Sequence, residues 1–233
     1  MKRFYKVVRI QEEENRFSIT LDDRRLKSPG QKPLLIPNRS LAEGIANEWI
    51  DQGDIIDPTQ MPFMCLAATT VDRVITHRDQ VIDIITAYAE TDLLCYWAEQ
   101  PEELIRNQEL SWKPLLNWCS EGLKAPLLIT KGIMPISQSR KSICSLRNRV
   151  ANYDNFSLAA IHELTGYSGS IVIALAIAEG YISVEKGIEA AQIDNVFQLE
   201  RWGEDGDARS RILEIEKAMT LADQFLKLCN PVI

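Results

Sequence analysis

The segment WGEDGDA at 202–208 is the part of the sequence whose residue types best support a specific chemical role. It places Trp202 and a glycine before three carboxylates, directly ahead of a long amphipathic pattern: Glu204, Asp205 and Asp207. Carboxylates at a helix start accept hydrogen bonds from free backbone N–H groups and oppose the helix dipole. An indole beside an acidic cluster is also typical of a docking surface, in which a rigid aromatic anchors the partner and the charges select it. The segment therefore predicts either a helix cap with a buried tryptophan or a site that binds another protein.

Patterns for catalysis and metal binding do not occur in the sequence. His77 and His162 each lack a second histidine or a cysteine at metal-ligand spacing. The string GYSGS at 166–170 is close to a nucleophile elbow, but its second glycine falls one residue early and it follows a helical pattern. No P-loop spacing is present. We predict no catalytic residue, no metal site and no cofactor; the alternative is a small hydrolase or nucleotide-binding enzyme whose carboxylates converge from distant segments.

The composition indicates a folded protein that does not bind nucleic acid. With 233 residues, 45% of them hydrophobic, the chain can bury a substantial core. Its formal net charge of −7 disfavours a nucleic-acid partner. Five cysteines without a C-x-x-C spacing favour a reducing compartment. The longest apolar run, 171–178, is too short to cross a bilayer, and no signal peptide precedes the first strand pattern, so we expect a soluble protein without membrane insertion.

The first sixty residues carry strand patterns and then one helix. Apolar residues alternate with polar ones over 4–10 and 17–21, and the charged segment 11–15 between them predicts a turn. Prolines flank a shorter strand pattern at 34–36, which predicts an edge or irregular strand.

The helix that follows is predicted to begin after Ser40 as its N-cap, with Glu43 completing a capping box. Its apolar positions recur every three or four residues and end at Trp49, which is preceded by Glu48. Trp49 is therefore expected in a core or at a domain interface, with partner contact as the alternative.

From residue 61 onward the spacing is helical almost throughout. Helices are predicted at 66–75, 79–88, 139–151, 157–164, 170–179, 184–199 and 207–228. The pattern at 170–179 is apolar nearly all round, which predicts a central buried helix. We expect an α+β fold, with a small β-rich N-terminal domain that includes one helix over residues 1–60 and a larger all-helical domain over residues 61–233.

A series of short motifs, in a fixed order along the chain, supports a family resemblance. They are LDDRRLKSP at 21–29, LAEGIANEW at 41–49, Met61-Pro62, Asp72, YAETDLLCY at 88–96, Gly169-Ser170, and WGEDGDA with Arg211. Over nearly its full length the chain resembles the assembly chaperone family of the F-type ATP synthase that handles the alpha subunit of the catalytic head. The family usually has alanine at Gly44 and glutamate at Asp207, so the carboxylate at 207 is kept with a shorter side chain.

The resemblance implies a non-enzymatic protein that transiently binds the unassembled alpha subunit and covers the surface that later meets the beta subunit. We expect a monomer. Because no Arg- and Ser-rich presequence precedes the first strand pattern, we expect it in the bacterial cytoplasm, or in the mitochondrial matrix if the chain is a processed eukaryotic form. The candidate client-binding residues are Glu48, Trp49, Trp202, Glu204, Asp205 and Asp207.

Overall fold

The computed structural model describes residues 1–132, 134–203 and 206–230, without the side chain of Trp202. Its strands lie mainly near the N-terminus and most of the remaining chain is helical, so the predicted α+β fold class is confirmed. Two units are distinguished by their internal contacts, one of residues 1–78, 154–160 and 224–230, the other of residues 79–153 and 161–223. The units do not follow the predicted division at residue 60, and separate domains over 1–60 and 61–233 stay a prediction.

The first unit contains an antiparallel sheet of three strands: β1 (Val8–Glu13), β2 (Arg16–Leu21) and β3 (Arg24–Arg25). Glu13 pairs with Arg16, so the hairpin turn consists of two residues, Glu14 and Asn15. Both have positive φ, 45° and 66°, as a type I′ turn requires. The predicted turn over 11–15 is therefore too long, because Gln11, Glu12 and Glu13 belong to β1, where a run of polar residues resembles a turn in sequence. The short strand pattern at 34–36 forms only a single bridge, between Ile36 and Phe17.

Helix α1 (Arg39–Ile50) packs against β1 and β2 and against α2 (Pro62–Thr69). Its N-cap is Asn38, whose Oδ1 accepts a hydrogen bond from the backbone N–H of Leu41 at 2.9 Å. The predicted N-cap Ser40 is wrong, because Asn38 caps as well as serine does and the helix begins two residues earlier. Glu43 consequently forms an ion pair with Arg39, at 2.8 Å, instead of closing a capping box.

The core of the first unit is built from β2, α1, α2 and the end of α9 (Gly206–Cys229). Ile19, Leu41 and Ile45 are fully buried. Phe63 on α2 and Phe225 on α9 have ring centroids 6.2 Å apart. Beyond α2 the chain continues as a π-helical turn, Thr70–Val74.

The second unit is helical apart from a two-stranded parallel pair, β4 (Tyr96–Trp97) and β5 (Thr130–Lys131). Its helices are α3 (Arg78–Ala87) apart from Arg78, α4 (Glu102–Gly122), α5 (Arg140–Ala151), the part of α6 (Asn155–Ser168) from residue 161 onward, α7 (Ile171–Ala178), α8 (Val184–Trp202) and the greater part of α9. Every residue of α7 from Ile171 to Ile177 is buried, and α4 and α8 pack against it, so the predicted central helix is confirmed. A search of the described helices for a stretch able to cross a membrane gave none.

Asp92 fixes the start of α7 inside the second unit. Its carboxylate is fully buried and accepts hydrogen bonds from the Ser170 hydroxyl at 2.8 and 2.9 Å and from the backbone N–H of Leu94 at 3.0 Å. Burial raises the pKa of Asp92 to about 6, and the hydrogen bonds oppose that rise. The motifs YAETDLLCY and Gly169-Ser170 therefore meet at one buried carboxylate, which positions the central helix.

Candidate functional site

The six predicted client-binding residues occur in two parts of the chain. Glu48 and Trp49 lie on α1 in the first unit, and the others belong to the connection between α8 and α9. Glu204 and Asp205 lie outside the described residues, and so does the side chain of Trp202. The structure therefore places three of the six side chains.

The side chain of Glu48 caps the neighbouring helix. Its two carboxylate oxygens accept hydrogen bonds from the backbone N–H groups of Phe63 and Met64, each at 2.7 Å. These groups open α2, whose own N-cap residue, Met61, makes no capping hydrogen bond with its side chain. Burial raises the pKa of Glu48 to about 7, and the two backbone hydrogen bonds oppose that rise. Glu48 thus joins α1 to α2, while its predicted contact with a client stays a prediction.

Trp49 belongs to the core of the first unit, with 8% of its surface exposed. Its ring packs edge to face against Tyr5 at 5.5 Å, and the Tyr5 hydroxyl donates to the Trp49 carbonyl oxygen at 2.6 Å. The indole Nε1–H is buried and has no acceptor among the described residues. A client contact of Trp49 also stays a prediction.

The segment 202–208 forms a junction between two helices. Trp202 is the last residue of α8, and Gly203 follows with φ +93°, a left-handed value that favours glycine. The Gly203 N–H donates to the carbonyl oxygen of Leu199 at 3.1 Å and so closes the helix end. Helix α9 begins at Gly206, with Asp207 in its first turn. The junction explains why a glycine precedes the acidic residues.

Asp207 lies on an exposed, concave part of the second unit. Together with Tyr167 and Arg211 it lines a depression of about 570 Å³. Asp207, Arg211 and Glu214 follow one another at spacings of four and three residues, so they share one face of α9. Tyr167 is 37% exposed, and burial, with Glu163 and Glu214 nearby, raises its pKa. We call this depression, lined by Tyr167, Asp207, Arg211 and Glu214, the α9 depression.

The α9 depression can recognise a protein surface by charge, hydrogen bonding and aromatic contact. Negative, positive and negative side chains follow one another along α9: Asp207, Arg211 and Glu214. Such a charge pattern increases specificity for a partner of complementary charge more than it increases affinity. Within the described ranges no group of three or more His, Cys, Asp or Glu side chains is placed to hold a metal ion. His162 lies beside Glu163, with its Nδ1 3.4 Å from a carboxylate oxygen.

The chain is similar to known chaperones in sequence and in structure. The model of the ATP12 chaperone protein family matches residues 2–120. The crystal structure of Atp12 from Paracoccus denitrificans has a TM-score of 0.95 and 37% identity, covering 98% of this chain and 98% of that chain. A protein from Agrobacterium tumefaciens has a TM-score of 0.91 and 34% identity, covering 97% of this chain and 85% of that one.

A mitochondrial relative is more distant but spans most of both proteins. Protein atp12 from the mitochondria of Schizosaccharomyces pombe is 24% identical over 245 residues, which cover 98% of this chain and 82% of the relative. The family match covers more than half of the described sequence, and the bacterial structures match almost all of it. The chain therefore belongs to the ATP12 family of ATP synthase assembly chaperones and is not an enzyme.

Proposed function

We propose that this chain transiently binds the unassembled alpha subunit of the F-type ATP synthase and holds it until the subunit joins the catalytic head. Membership of the ATP12 family supports a role in ATP synthase assembly. We place the client-binding site at the α9 depression. The supporting observation is that Asp207, which belongs to the segment 202–208, is exposed there beside Tyr167 and Arg211.

The physical need for such a protein follows from the assembly of an obligate complex. Subunit interfaces of permanent complexes commonly bury about 2,000–5,000 Å² and are more hydrophobic than other surfaces. A subunit without its neighbours exposes that area and tends to aggregate. A chaperone that must later leave needs moderate affinity, with charges that reject other apolar surfaces. An acidic segment beside an aromatic residue meets that requirement.

The predicted site residues then divide into two roles. Asp207, with Trp202, Glu204 and Asp205 in the same motif, is proposed to contact the client. Glu48 and Trp49 are proposed to support the client-binding surface, because Glu48 caps α2 and Trp49 is packed in the core.

We further propose a monomer that binds no nucleic acid, consistent with the net charge of −7. We place it in the bacterial cytoplasm, or in the mitochondrial matrix if it is a processed eukaryotic form. Relatives from two bacteria and from fission yeast mitochondria support both placements.

The test is a charge reversal at the motif with a matched control on the same helix. Asp207→Lys should weaken binding of the alpha subunit about tenfold or more. The lysine places a positive charge where the proposed client contact requires a negative one, and like charges repel across an interface. Glu216→Lys makes the same change at an exposed position further along α9 and should bind as the wild type does.

Thermal melts of both variants separate recognition from folding. Removing an acidic residue from the first turn of α9 costs about 0.3–1 kcal/mol through the helix dipole. A cooperative melt close to that of the wild type, with binding lost only in Asp207→Lys, supports the proposal. Equal binding by both variants contradicts it, and loss of the cooperative melt in Asp207→Lys would show that the residue serves as a helix cap.

A further inference from the structure

The first unit contains an open groove that its fold does not fill. The groove has a volume of about 1050 Å³, and buried apolar side chains from β2, α1, α2 and the segments beside them form its floor: Leu21, Leu26, Trp49, Met61 and Met64. Two of them are methionines, whose flexible and polarizable side chains adapt to irregular apolar surfaces. We call this feature the N-terminal groove.

The rim of the N-terminal groove is basic, although the chain as a whole carries a net charge of −7. Four cations line it: Arg24, Arg25, Lys27 and Arg73. Among the described residues that line it, Asp72 is the single carboxylate, and it already accepts hydrogen bonds from the Ser28 hydroxyl and the Gly30 N–H.

Three of these rim cations are available for an outside partner. Arg25 forms an ion pair with Glu13 at 2.9 Å, whereas Arg24, Lys27 and Arg73 form no ion pair with any described residue. Arg24 and Lys27 are exposed and lie three residues apart on the same segment. Because opposite charges steer association and select partners, this rim favours a ligand that carries carboxylates.

One residue that lines the groove carries a buried donor without an acceptor. Trp49 is more than nine-tenths buried and lines the groove, and its Nε1–H has no hydrogen-bond partner among the described residues. A buried polar group left unpaired costs free energy that a bound acceptor can recover. An occupant with backbone carbonyl groups supplies such acceptors once the lining side chains adjust to it.

Segments that are far apart in the sequence meet at this groove. Residues 21–29 form one side and its basic rim, and Trp49, Met61 and Asp72 come from later segments of the first unit. Trp49 and Met61 are buried in the core of that unit, whereas Arg24 and Lys27 are exposed.

We propose that the N-terminal groove binds an acidic, apolar polypeptide segment of the client alpha subunit, as a second contact separate in sequence from the α9 depression. Apolar side chains of the segment occupy the methionine-lined floor, its carboxylates pair with Arg24 and Lys27, and a carbonyl group accepts from the Trp49 indole. The choice of the alpha subunit as the source of the segment rests on the proposed function.

Cysteine footprinting tests occupancy directly in the wild-type chain. Cys65 is exposed and lines the groove, while Cys144 is exposed on α5 and serves as the internal control. Overlapping peptides that tile the alpha subunit are added, and alkylation of each cysteine by N-ethylmaleimide is followed by mass spectrometry. At about ten times their Kd, acidic, apolar peptides should slow the alkylation of Cys65 about tenfold, because only about a tenth of the chain is then unoccupied, and should leave Cys144 unchanged.

A charge-reversed rim provides the matched comparison. The double variant Arg24→Glu, Lys27→Glu should abolish protection of Cys65 and weaken retention of the full alpha subunit. The variant Arg106→Glu, Lys141→Glu makes the same charge change at exposed positions outside the groove and should behave as the wild type does. Protection in the wild type should weaken as salt is raised, because exposed charges are screened.

The outcomes separate this proposal from the proposed function. If no peptide protects Cys65, if Cys65 and Cys144 are protected alike, or if the rim variant retains protection, the groove proposal is wrong. Protection that grows with chain concentration alone would identify a second copy as the occupant and would equally overturn it. If the wild-type chain does not retain the alpha subunit, the proposed function is wrong, and the peptide result alone then decides whether the groove binds acidic segments.

Discussion

Replacing Glu48 by alanine removes the acceptor for the first backbone N–H groups of α2, and the consequence can be worked out from the structure. Two hydrogen bonds of 2.7 Å, each from a backbone donor to a carboxylate, are lost together. Hydrogen bonds to charged groups contribute about 1.5–3 kcal/mol each, and an N-cap contributes about 0.5–2 kcal/mol. Burial of the carboxylate offsets part of that gain at neutral pH, as its raised pKa indicates.

We therefore expect Glu48→Ala to lower the free energy of unfolding by about 2 kcal/mol at pH 7, or the melting temperature by about 4–8 °C. The control is Glu43→Ala on the same helix, which breaks only an exposed ion pair with Arg39 and should cost about 0–1 kcal/mol. Urea unfolding of both variants and the wild type measures the difference. A loss in Glu48→Ala no greater than in Glu43→Ala refutes the capping role.

The pH dependence of this effect has a definite sign. The pKa of Glu48 rises on folding from the ordinary value of 4.5 to about 7, so the folded state binds the proton more tightly. Its protonation therefore contributes stability that is fully present below pH 4.5 and is lost as the pH rises through 7. The difference in unfolding free energy between wild type and Glu48→Ala should shrink from pH 5 to pH 8. A difference that grows with pH contradicts the assignment.

The client-binding assay then decides the role of Glu48. Binding is measured at a temperature where Glu48→Ala is fully folded. If Glu48 only supports the surface, the variant should bind the alpha subunit with an affinity within about threefold of the wild type, a difference below 1 kcal/mol. Loss of binding with unchanged stability would instead make Glu48 a direct client contact.

The other substitutions address the core and the motif. Trp49→Ala should act mainly on stability, lowering the unfolding free energy by about 3–5 kcal/mol because it truncates a buried aromatic; a change below about 1 kcal/mol in urea unfolding would show that the ring is not packed as described. Asp92→Ala leaves the Ser170 hydroxyl and the Leu94 N–H without their buried acceptor and should cost about 2–6 kcal/mol, since each unsatisfied donor costs about 1–3 kcal/mol. In this variant the backbone amides of α7 should exchange hydrogen faster than in the wild type. Unchanged protection of α7 would contradict the role of Asp92 in positioning that helix. Asp207→Lys should keep its cooperative melt and lose client binding, as set out above.

The helical part of the fold is predictable from sequence because burial imposes a 3.6-residue period over long stretches. The fully buried α7 is recognisable from its apolar run alone. Element ends are not, because they depend on which of several neighbouring side chains caps the helix: Asn38 rather than Ser40 opens α1. The hairpin turn is shorter than predicted, since Gln11, Glu12 and Glu13 belong to β1 and pair with residues of β2.

The site is predictable only where its residues are neighbours in sequence. The segment 202–208 stands out because an indole, a glycine and carboxylates occur together. The capping role of Glu48 could not be predicted, because its partners Phe63 and Met64 lie on another helix. The N-terminal groove has no sequence signal of its own either, because a β-strand, α1 and α2 each supply part of it.

The most direct test of the central claim is co-expression of this chain with the alpha subunit in the absence of the beta subunit, measuring soluble alpha and its co-elution with this chain. We expect the alpha subunit to become soluble, to co-elute with the chain, and to be released when beta is added. If alpha aggregates to the same extent with and without the chain, and no complex is recovered, the chain does not act as a chaperone of the alpha subunit.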